Sequence, residues 1–185
     1  MKKFPEIGAC GIDCGLCPTY YTKGPSKCPG CGGPEFPNKH PSCSILRCVS
    51  NKKFETCADC EEFPCEKVKR WDGGDSFVTH KMCLQNLENI KKLGIENFLR
   101  QQRIRMEILD TILREYNEGR SKSFYCLAST LLPLADLRKA LIEMEEKIKT
   151  EDNEDIEIKE KSTLFKKLIN QRAQQTKIDL KLRKP

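Results

Sequence analysis

The sequence predicts a mainly α fold: an irregular, Cys-rich, metal-stapled N-terminal module followed by a helical C-terminal region. The first observation is that ten of the twelve cysteines lie between Cys10 and Cys65. The second is that this stretch holds thirteen Gly or Pro residues and few aliphatic ones, too few for a core that offsets chain entropy. The third is that apolar residues after residue 76 recur at helical spacing, with no evident strand pattern.

Composition limits where such a chain can work. It has 185 residues, 38% hydrophobic and 32% charged, with a mean hydropathy of −0.59. No apolar run approaches the roughly 20 residues that span a bilayer, and no apolar segment of a secretory signal follows the N-terminal lysines. We therefore expect a cytoplasmic protein with reduced cysteines and no membrane contact. A disulfide scaffold, typical of secreted domains, is the alternative interpretation of the Cys-rich stretch.

The expected domains are a Cys-rich metal-binding module at 1–73, a helical domain at 74–150 and a charged terminal helix at 151–185. The break between the first two is the run DGGD at 72–75. Short helices are predicted at 44–50 and 61–71. Longer helices are predicted at 82–92, ended by Gly94, and at 95–117, ended by Gly119. A short helix capped by Ser121 or Ser123 is predicted to continue through Leu132. The last helix of this region is predicted at 133–149, with Pro133 in its first turn.

The C-terminal segment is strongly charged. Residues 151–160 carry six acids, and residues 159–184 carry nine Lys or Arg against two acids. The net charge of +6 permits an anionic partner, and nucleic acid could bind this basic helix. Phe165 is the only aromatic residue in 159–184, so this segment has few side chains on which nucleic-acid bases could stack. A solvated terminal helix is the favoured interpretation.

The cysteine spacing predicts metal binding, because three CxxC pairs occur within one short stretch. Thiolates suit zinc or iron–sulfur clusters and disfavour calcium and magnesium. Structural zinc takes four ligands, so eight thiolates would hold two zinc ions. The candidate metal ligands are Cys10, Cys14, Cys17, Cys28, Cys31, Cys43, Cys48, Cys57, Cys60 and Cys65.

Spacing leaves two groupings open. In a cross-brace, Cys14/Cys17 would join Cys43/Cys48, and Cys28/Cys31 would join Cys57/Cys60. In the second grouping, one site uses Cys10, Cys14, Cys17 and Cys65, and the other draws on the middle six cysteines. His40, three residues before Cys43, could replace a thiolate, although it fits an ordinary loop better.

An iron–sulfur cluster is the alternative to zinc. Cys10, Cys14 and Cys17 have a three-thiolate spacing, and Cys17 and Cys28 are each followed by proline, as in ferredoxin-like runs. The bacterial ferredoxin order, with two residues between successive cysteines, is not matched. The paired knuckles favour zinc.

Four segments resemble the family called domain of unknown function 3795. They are CGIDCGLCPTY at 10–20, the Cys28/Cys31 pair, ILRC at 45–48 and CADCEEFPCEK at 57–67. The resemblance covers about residues 8–70, and the run GRSKSFYC at 119–126 looks like what some longer members carry. The family is Cys-rich, bacterial and archaeal, and is taken to bind metal. The resemblance therefore implies a metal module and brings no assigned reaction.

Other candidate chemistry is weaker. Cys126 could be a reactive thiol near cations at a helix start, but a small buried residue fits better. His80 and Cys83 could form a ligand or nucleophile pair, although nothing in their context singles them out. An anion could bind the turn formed by Arg120, Ser121, Lys122 and Ser123.

No nucleotide-binding or metalloprotease motif occurs. The favoured function is a non-catalytic metal module that contacts a protein or another partner. The alternative is an iron–sulfur or redox accessory protein.

Overall fold

The computed structural model describes residues 1–70, 74–150 and 156–183, which form α-helices and short 3-10 turns without a strand. The helices are α1 (Phe36–Lys39), α2 (Ser44–Asn51), α3 (Glu66–Arg70), α4 (Cys83–Leu93), α5 (Ile95–Glu115), α6 (Lys122–Leu131), α7 (Leu134–Thr150) and α8 (Ile158–Gln175). The 3-10 turns are Cys14–Leu16, Gly24–Ser26 and Cys57–Asp59. The mainly α fold with an irregular N-terminal part is confirmed. None of the described helices is long and apolar enough to cross a membrane.

The chain forms two compact units. The first comprises Met1–Arg103 together with the C-terminal segment from Leu182, and the second comprises Ile104–Lys181. This division differs from the predicted boundary at residues 73–74. The physical reason is that α4 and the beginning of α5 contribute aliphatic side chains to the core of the first unit. Leu87, Ile90 and Leu99 are buried in one cluster with Ile7 and Cys31 of the Cys-rich segment.

A buried polar contact ties the first CxxC motif to α4 and α5. The Asp13 carboxylate is 4% exposed and accepts hydrogen bonds from Asn86 Nδ2 at 2.9 Å and Gln102 Nε2 at 2.7 Å. Asn86 Nδ2 also donates to the Gly11 carbonyl oxygen at 2.9 Å. Gly11 has φ of +84°, and a Cβ there would collide with the Cys83 carbonyl group. The close approach of the motif to α4 therefore requires glycine at this position.

The second unit has an apolar core between helices. In the described residues α7 packs against α8, and Phe165 stacks on Tyr116 with ring centroids 4.4 Å apart. Tyr125 is fully buried, and its hydroxyl donates to the Tyr116 carbonyl oxygen at 3.0 Å. Arg105 donates to the Ser129 and Leu132 carbonyl oxygens at 2.8 and 2.7 Å, which satisfies the C-terminal end of α6.

Helix ends depart from the predictions at two places. Pro133 precedes α7, and its carbonyl oxygen accepts the Leu137 amide, so it acts as the cap and does not belong to the first turn. Ser121 is the N-cap of α6 but makes no side-chain capping bond, because its hydroxyl binds Glu118. The predicted helix end at Trp71, the break at residues 72 and 73, and the acidic run 151–155 lie outside the described residues.

Candidate metal centres

The ten N-terminal cysteines line two separate spaces in the first unit. Six of them surround one cavity, which we call the six-cysteine cavity. Four surround a smaller pocket, which we call the four-cysteine pocket. The cavity cysteines are Cys10, Cys14, Cys17, Cys28, Cys31 and Cys43, and the pocket cysteines are Cys48, Cys57, Cys60 and Cys65. None of the twelve cysteines, all of which lie in the described residues, forms a disulfide bond.

The six-cysteine cavity has a volume of about 330 Å³. Besides the thiols, its wall contains apolar side chains such as Ile12, Phe36 and Val78. The described residues that line it include no Lys, Arg, Asp or Glu, so no charged side chain in the wall balances the thiolates. Their chemistry suits a soft cation.

Both histidines of the chain lie in the wall of this cavity. His40 stacks on Phe36 with ring centroids 4.7 Å apart, and its Nδ1 lies 3.0 Å from the Pro41 carbonyl oxygen. His80 belongs to a segment from Ser76 that covers part of the same wall. The sequence makes His40 a possible replacement for a thiolate and His80 a possible partner of Cys83, but neither lies in a local motif that favours this over an ordinary residue. The available signal was that the chain has only two histidines, and one of them lies close to the cysteine run.

Backbone contacts fix the two knuckles that enter the cavity. In the first, the Cys17 amide donates to the Cys14 carbonyl oxygen at 3.2 Å and closes a 3-10 turn. In the second, the Cys31 amide donates to the Pro5 carbonyl oxygen at 2.8 Å. Gly30 has φ of +84° and lies so close to Pro5 that a Cβ would collide with its carbonyl group. The N-terminal segment therefore sets the position of the Cys31 thiol.

Hydrogen bonds between thiols shift the pKa values of the two partners in opposite directions. The hydrogen bond from the Cys14 thiol lowers the pKa of Cys31 to about 6, with burial opposing and the charge of Lys2 helping. The same hydrogen bond, together with burial, raises the pKa of Cys14. A hydrogen bond from Cys83 lowers the pKa of Cys10. Burial raises the pKa of Cys43. The cavity thus holds donor and acceptor thiols side by side.

The four-cysteine pocket has a volume of about 40 Å³. Its Cys57/Cys60 knuckle is fixed by a capping box, in which Thr56 Oγ1 accepts the Ala58 amide at 3.2 Å and Asp59 Oδ2 accepts the Thr56 amide at 2.9 Å. Lys52 Nζ lies 3.4 Å from Cys60 Sγ and 3.1 Å from Glu62 Oε1. A lysine in this position can stabilise a thiolate.

Burial and the neighbouring thiols raise the pKa of Cys57 to about 12. Cys57 is 9% exposed, and its amide donates to the Ala9 carbonyl oxygen at 2.9 Å. The neighbouring thiols that raise its pKa are Cys10 of the six-cysteine cavity and then Cys65, Cys48 and Cys60 of the same pocket. A cation bound among the four thiols would favour their thiolate forms.

The two spaces sort the cysteines differently from both groupings expected from spacing, and which thiols share a metal stays a prediction. The cross-brace would place Cys43 and Cys48 at one site, but they line different spaces. Cys43 is the N-cap of α2 and Cys48 lies five residues further on, which turns the chain by about 140° beyond a full turn. The second grouping would join Cys65 to Cys10, and these also line different spaces.

Side-chain directions within each group do not converge. In the described part of the chain, no three His, Cys, Asp or Glu side chains are placed so that they could hold a metal ion as they stand. The Cys14 thiol is hydrogen-bonded to Cys31, and the Cys83 thiol is hydrogen-bonded to Cys10. The donor set fits zinc or an iron–sulfur cluster by its chemistry, and its side chains would have to turn inward on binding.

One buried carboxylate holds the segment that carries His80. Asp75 accepts the His80 amide at 2.8 Å, the Thr79 hydroxyl at 3.2 Å and the Arg183 amide at 2.9 Å. The Arg183 guanidinium lies 3.0 Å away. Burial opposes ionisation, but these hydrogen bonds and the guanidinium hold the pKa of Asp75 at about 2. Phe77, in the middle of this segment, lines the cavity and is 53% exposed.

The turn before α6 has contacts that do not favour an anion. The Ser121 amide donates to Asn117 Oδ1 at 3.2 Å, and the Ser121 hydroxyl donates to Glu118 Oε1 at 2.6 Å. The Glu118 carboxylate therefore engages the Ser121 hydroxyl, one of the groups of the predicted anion site, and the site formed by Arg120, Ser121, Lys122 and Ser123 stays a prediction. Cys126 is 2% exposed within the second unit, as expected for a small buried residue.

Comparison with known proteins identifies one match. Residues 6–70 match the family described as a protein of unknown function, DUF3795, which confirms the resemblance of the Cys-rich segment. No curated protein and no solved structure matches the chain. The matched residues contain all ten cysteines of the cavity and the pocket.

Proposed function

We propose that this chain is a metal-binding protein with two separate thiolate centres in its first unit. The four-cysteine pocket holds one structural zinc ion, and the six-cysteine cavity holds a second centre. The observation that carries the proposal is the sorting of ten cysteines into two spaces. One group has the number of thiolates that a closed zinc site uses, in a pocket of about 40 Å³.

Packing supports a structural role for the metal. Small thiols and alanines fill much of the buried interior contributed by residues 7–65, including Ala9, Cys10, Cys31, Cys57 and Ala58. Such side chains bury little apolar area, so metal–thiolate bonds would supply stability that the core lacks. The stapled module would then contact a protein partner, and the net charge of +6 favours one with an acidic surface.

Metal analysis of matched variants tests the proposal. Untagged protein purified without oxygen is compared with Cys57→Ser/Cys60→Ser, Cys14→Ser/Cys31→Ser and the control Cys126→Ser. Each double variant should lose the metal of its own group and keep that of the other, and the control should lose none. If either double variant emptied both groups, or if wild type bound no metal, the two-centre proposal would be refuted.

A further inference from the structure

The two groups of cysteines differ in the space they enclose. The six-cysteine cavity has about 330 Å³ and the four-cysteine pocket about 40 Å³. Thiolate sulfurs lie about 2.3 Å from a zinc ion, so four of them closed around one ion leave no free volume between them. A single ion suits the pocket. In the cavity, it would leave most of the space unfilled.

Charge leads to the same distinction. Four thiolates around one divalent ion carry a formal charge of minus two, whereas six would carry minus four, so a single ion leaves two of the six thiols protonated and unused. Burying uncompensated charge is costly, and the described wall residues of the cavity provide no Lys or Arg. A second divalent ion returns the six-thiolate set to minus two, the same charge as in a closed four-thiolate site.

We propose, on the basis of the metal-binding function above, that the six-cysteine cavity holds a polynuclear centre of two or more sulfur-bridged metal ions. The bridges are cysteine thiolates if the metal is zinc, or inorganic sulfide if it is iron. Each ligating thiol releases its proton to solvent on binding. Zinc binds as Zn²⁺, and an iron centre would be received as a preformed iron–sulfur cluster by ligand exchange, so neither case changes an oxidation state. The four-cysteine pocket holds a single ion.

His40 adds a neutral ligand position to this centre. A metal-bound histidine characteristically donates its other ring N–H to a carbonyl oxygen or carboxylate. Nδ1 of His40 lies 3.0 Å from the Pro41 carbonyl oxygen, and donating there leaves Nε2 with its lone pair. An imidazole ligand adds no negative charge, which suits a cavity already rich in thiolates.

Counting metal ions by group tests the proposal in the full chain. Iron, zinc and acid-labile sulfide are measured per chain in untagged protein purified without oxygen, together with visible absorption. Cys14→Ser/Cys31→Ser should lose two or more metal ions, and Cys57→Ser/Cys60→Ser only one. Lost zinc without sulfide identifies a zinc–thiolate centre. Lost iron with equivalent sulfide and visible absorption identifies an iron–sulfur cluster.

X-ray absorption of the wild-type protein gives a result that does not depend on how variants fold. Spectra recorded at the X-ray absorption edge of the cavity metal should show metal–metal scattering. This scattering should be lost in Cys14→Ser/Cys31→Ser and kept in Cys57→Ser/Cys60→Ser. One mononuclear ion in each group would overturn the polynuclear centre and leave the metal-binding function standing. Absence of metal from wild type would overturn both.

Discussion

The two units of this protein bury different kinds of side chain. In the second unit, large residues such as Tyr125, Leu137, Met144 and Phe165 are fully buried between helices. In the first unit, five of the buried positions are cysteines, and α4 and α5 add large aliphatic side chains such as Leu87, Ile90 and Leu99. A long helix with an apolar stripe can pack on its neighbours without help. A Gly- and Pro-rich segment needs cross-links, and here thiols are available to supply them.

Metal removal should have the largest effect, because it should unfold part of the first unit and leave the second unit folded. A chelator at neutral pH is expected to unfold residues 10–70 and leave the helices of the second unit folded, since only the first relies on thiolate–metal bonds. Hydrogen exchange measured by peptide should show lost protection in 10–70 and retained protection in α6, α7 and α8. Acid that protonates the thiols should release metal in the same way.

Unchanged protection in residues 10–70 after complete metal removal would contradict this distinction between the units. α4 serves as an internal indicator. It packs on the Cys57–Asp59 turn, so its exchange should rise with that of the Cys-rich segment. A sequence-based boundary at residue 74 would instead leave α4 protected.

The next largest contrast is between two buried cysteines, Cys57 in the first unit and Cys126 in the second. Cys57→Ala should remove the metal of the four-cysteine pocket and destabilise the first unit, whereas Cys126→Ala should cost only about 1 kcal/mol in the second. Thermal unfolding with metal analysis measures both effects. Cys83→Ala should also leave metal content unchanged, although its thiol contacts Cys10. Loss of metal in Cys83→Ala would show that Cys83 is itself a ligand.

The helices could be predicted from the sequence because the signals that begin and end them are local. Gly94 ends α4 with φ of +81°, and the apolar stripe beginning at Ile95 marks α5, as expected. The extent of the first unit could not be predicted from the sequence. Whether Leu87 and Leu99 pack on the cysteine segment or on later helices depends on contacts between distant parts of the chain, which periodicity does not encode.

The candidate ligands were predictable by type, but their grouping was not. Thiols in CxxC pairs indicate metal, yet three pairs and four single cysteines allow many combinations. The direction of α2 separates Cys43 from Cys48, and the turn around Gly30 brings Cys31 toward Cys14. His40 is a possible ligand from its spacing to Cys43, whereas His80 reaches the cavity wall through chain folding, which no local pattern encodes.

Asp75 provides a test within the first unit, with a moderate effect. Asp75→Asn keeps the side-chain volume but removes the charge that holds Arg183 and the His80 amide, which should cost about 1.5–3 kcal/mol. The segment from Ser76 to His80 should then loosen over the six-cysteine cavity. The measurement is the rate at which each group loses metal to a chelator.

The cavity metal should leave faster in Asp75→Asn, and the pocket metal should leave at the wild-type rate. Arg183→Ala is the matched control, because it removes the guanidinium but keeps the backbone amide that bonds Asp75. It should give a smaller increase. Equal acceleration of both metals would mean that Asp75 supports the unit as a whole and not the wall of the cavity.

The smallest expected effect concerns the second unit, which should sense acid through a carboxylate and not through thiols. Hydrogen bonds from Ser121 and Ser162, with Lys166 at 3.3 Å, hold the pKa of Glu118 at about 2. Because the folded pKa lies below the unfolded value of about 4.3, the contribution is present above pH 4.3 and is lost as pH falls toward 2. Glu118→Gln should therefore cost about 1 kcal/mol at neutral pH, with the difference from wild type disappearing on acidification. Exchange in α6 and α8 isolates this effect from metal loss in the first unit. A difference that stayed constant between pH 7 and pH 2 would mean that the charge of Glu118 contributes nothing, and that the two hydroxyl contacts act through geometry alone.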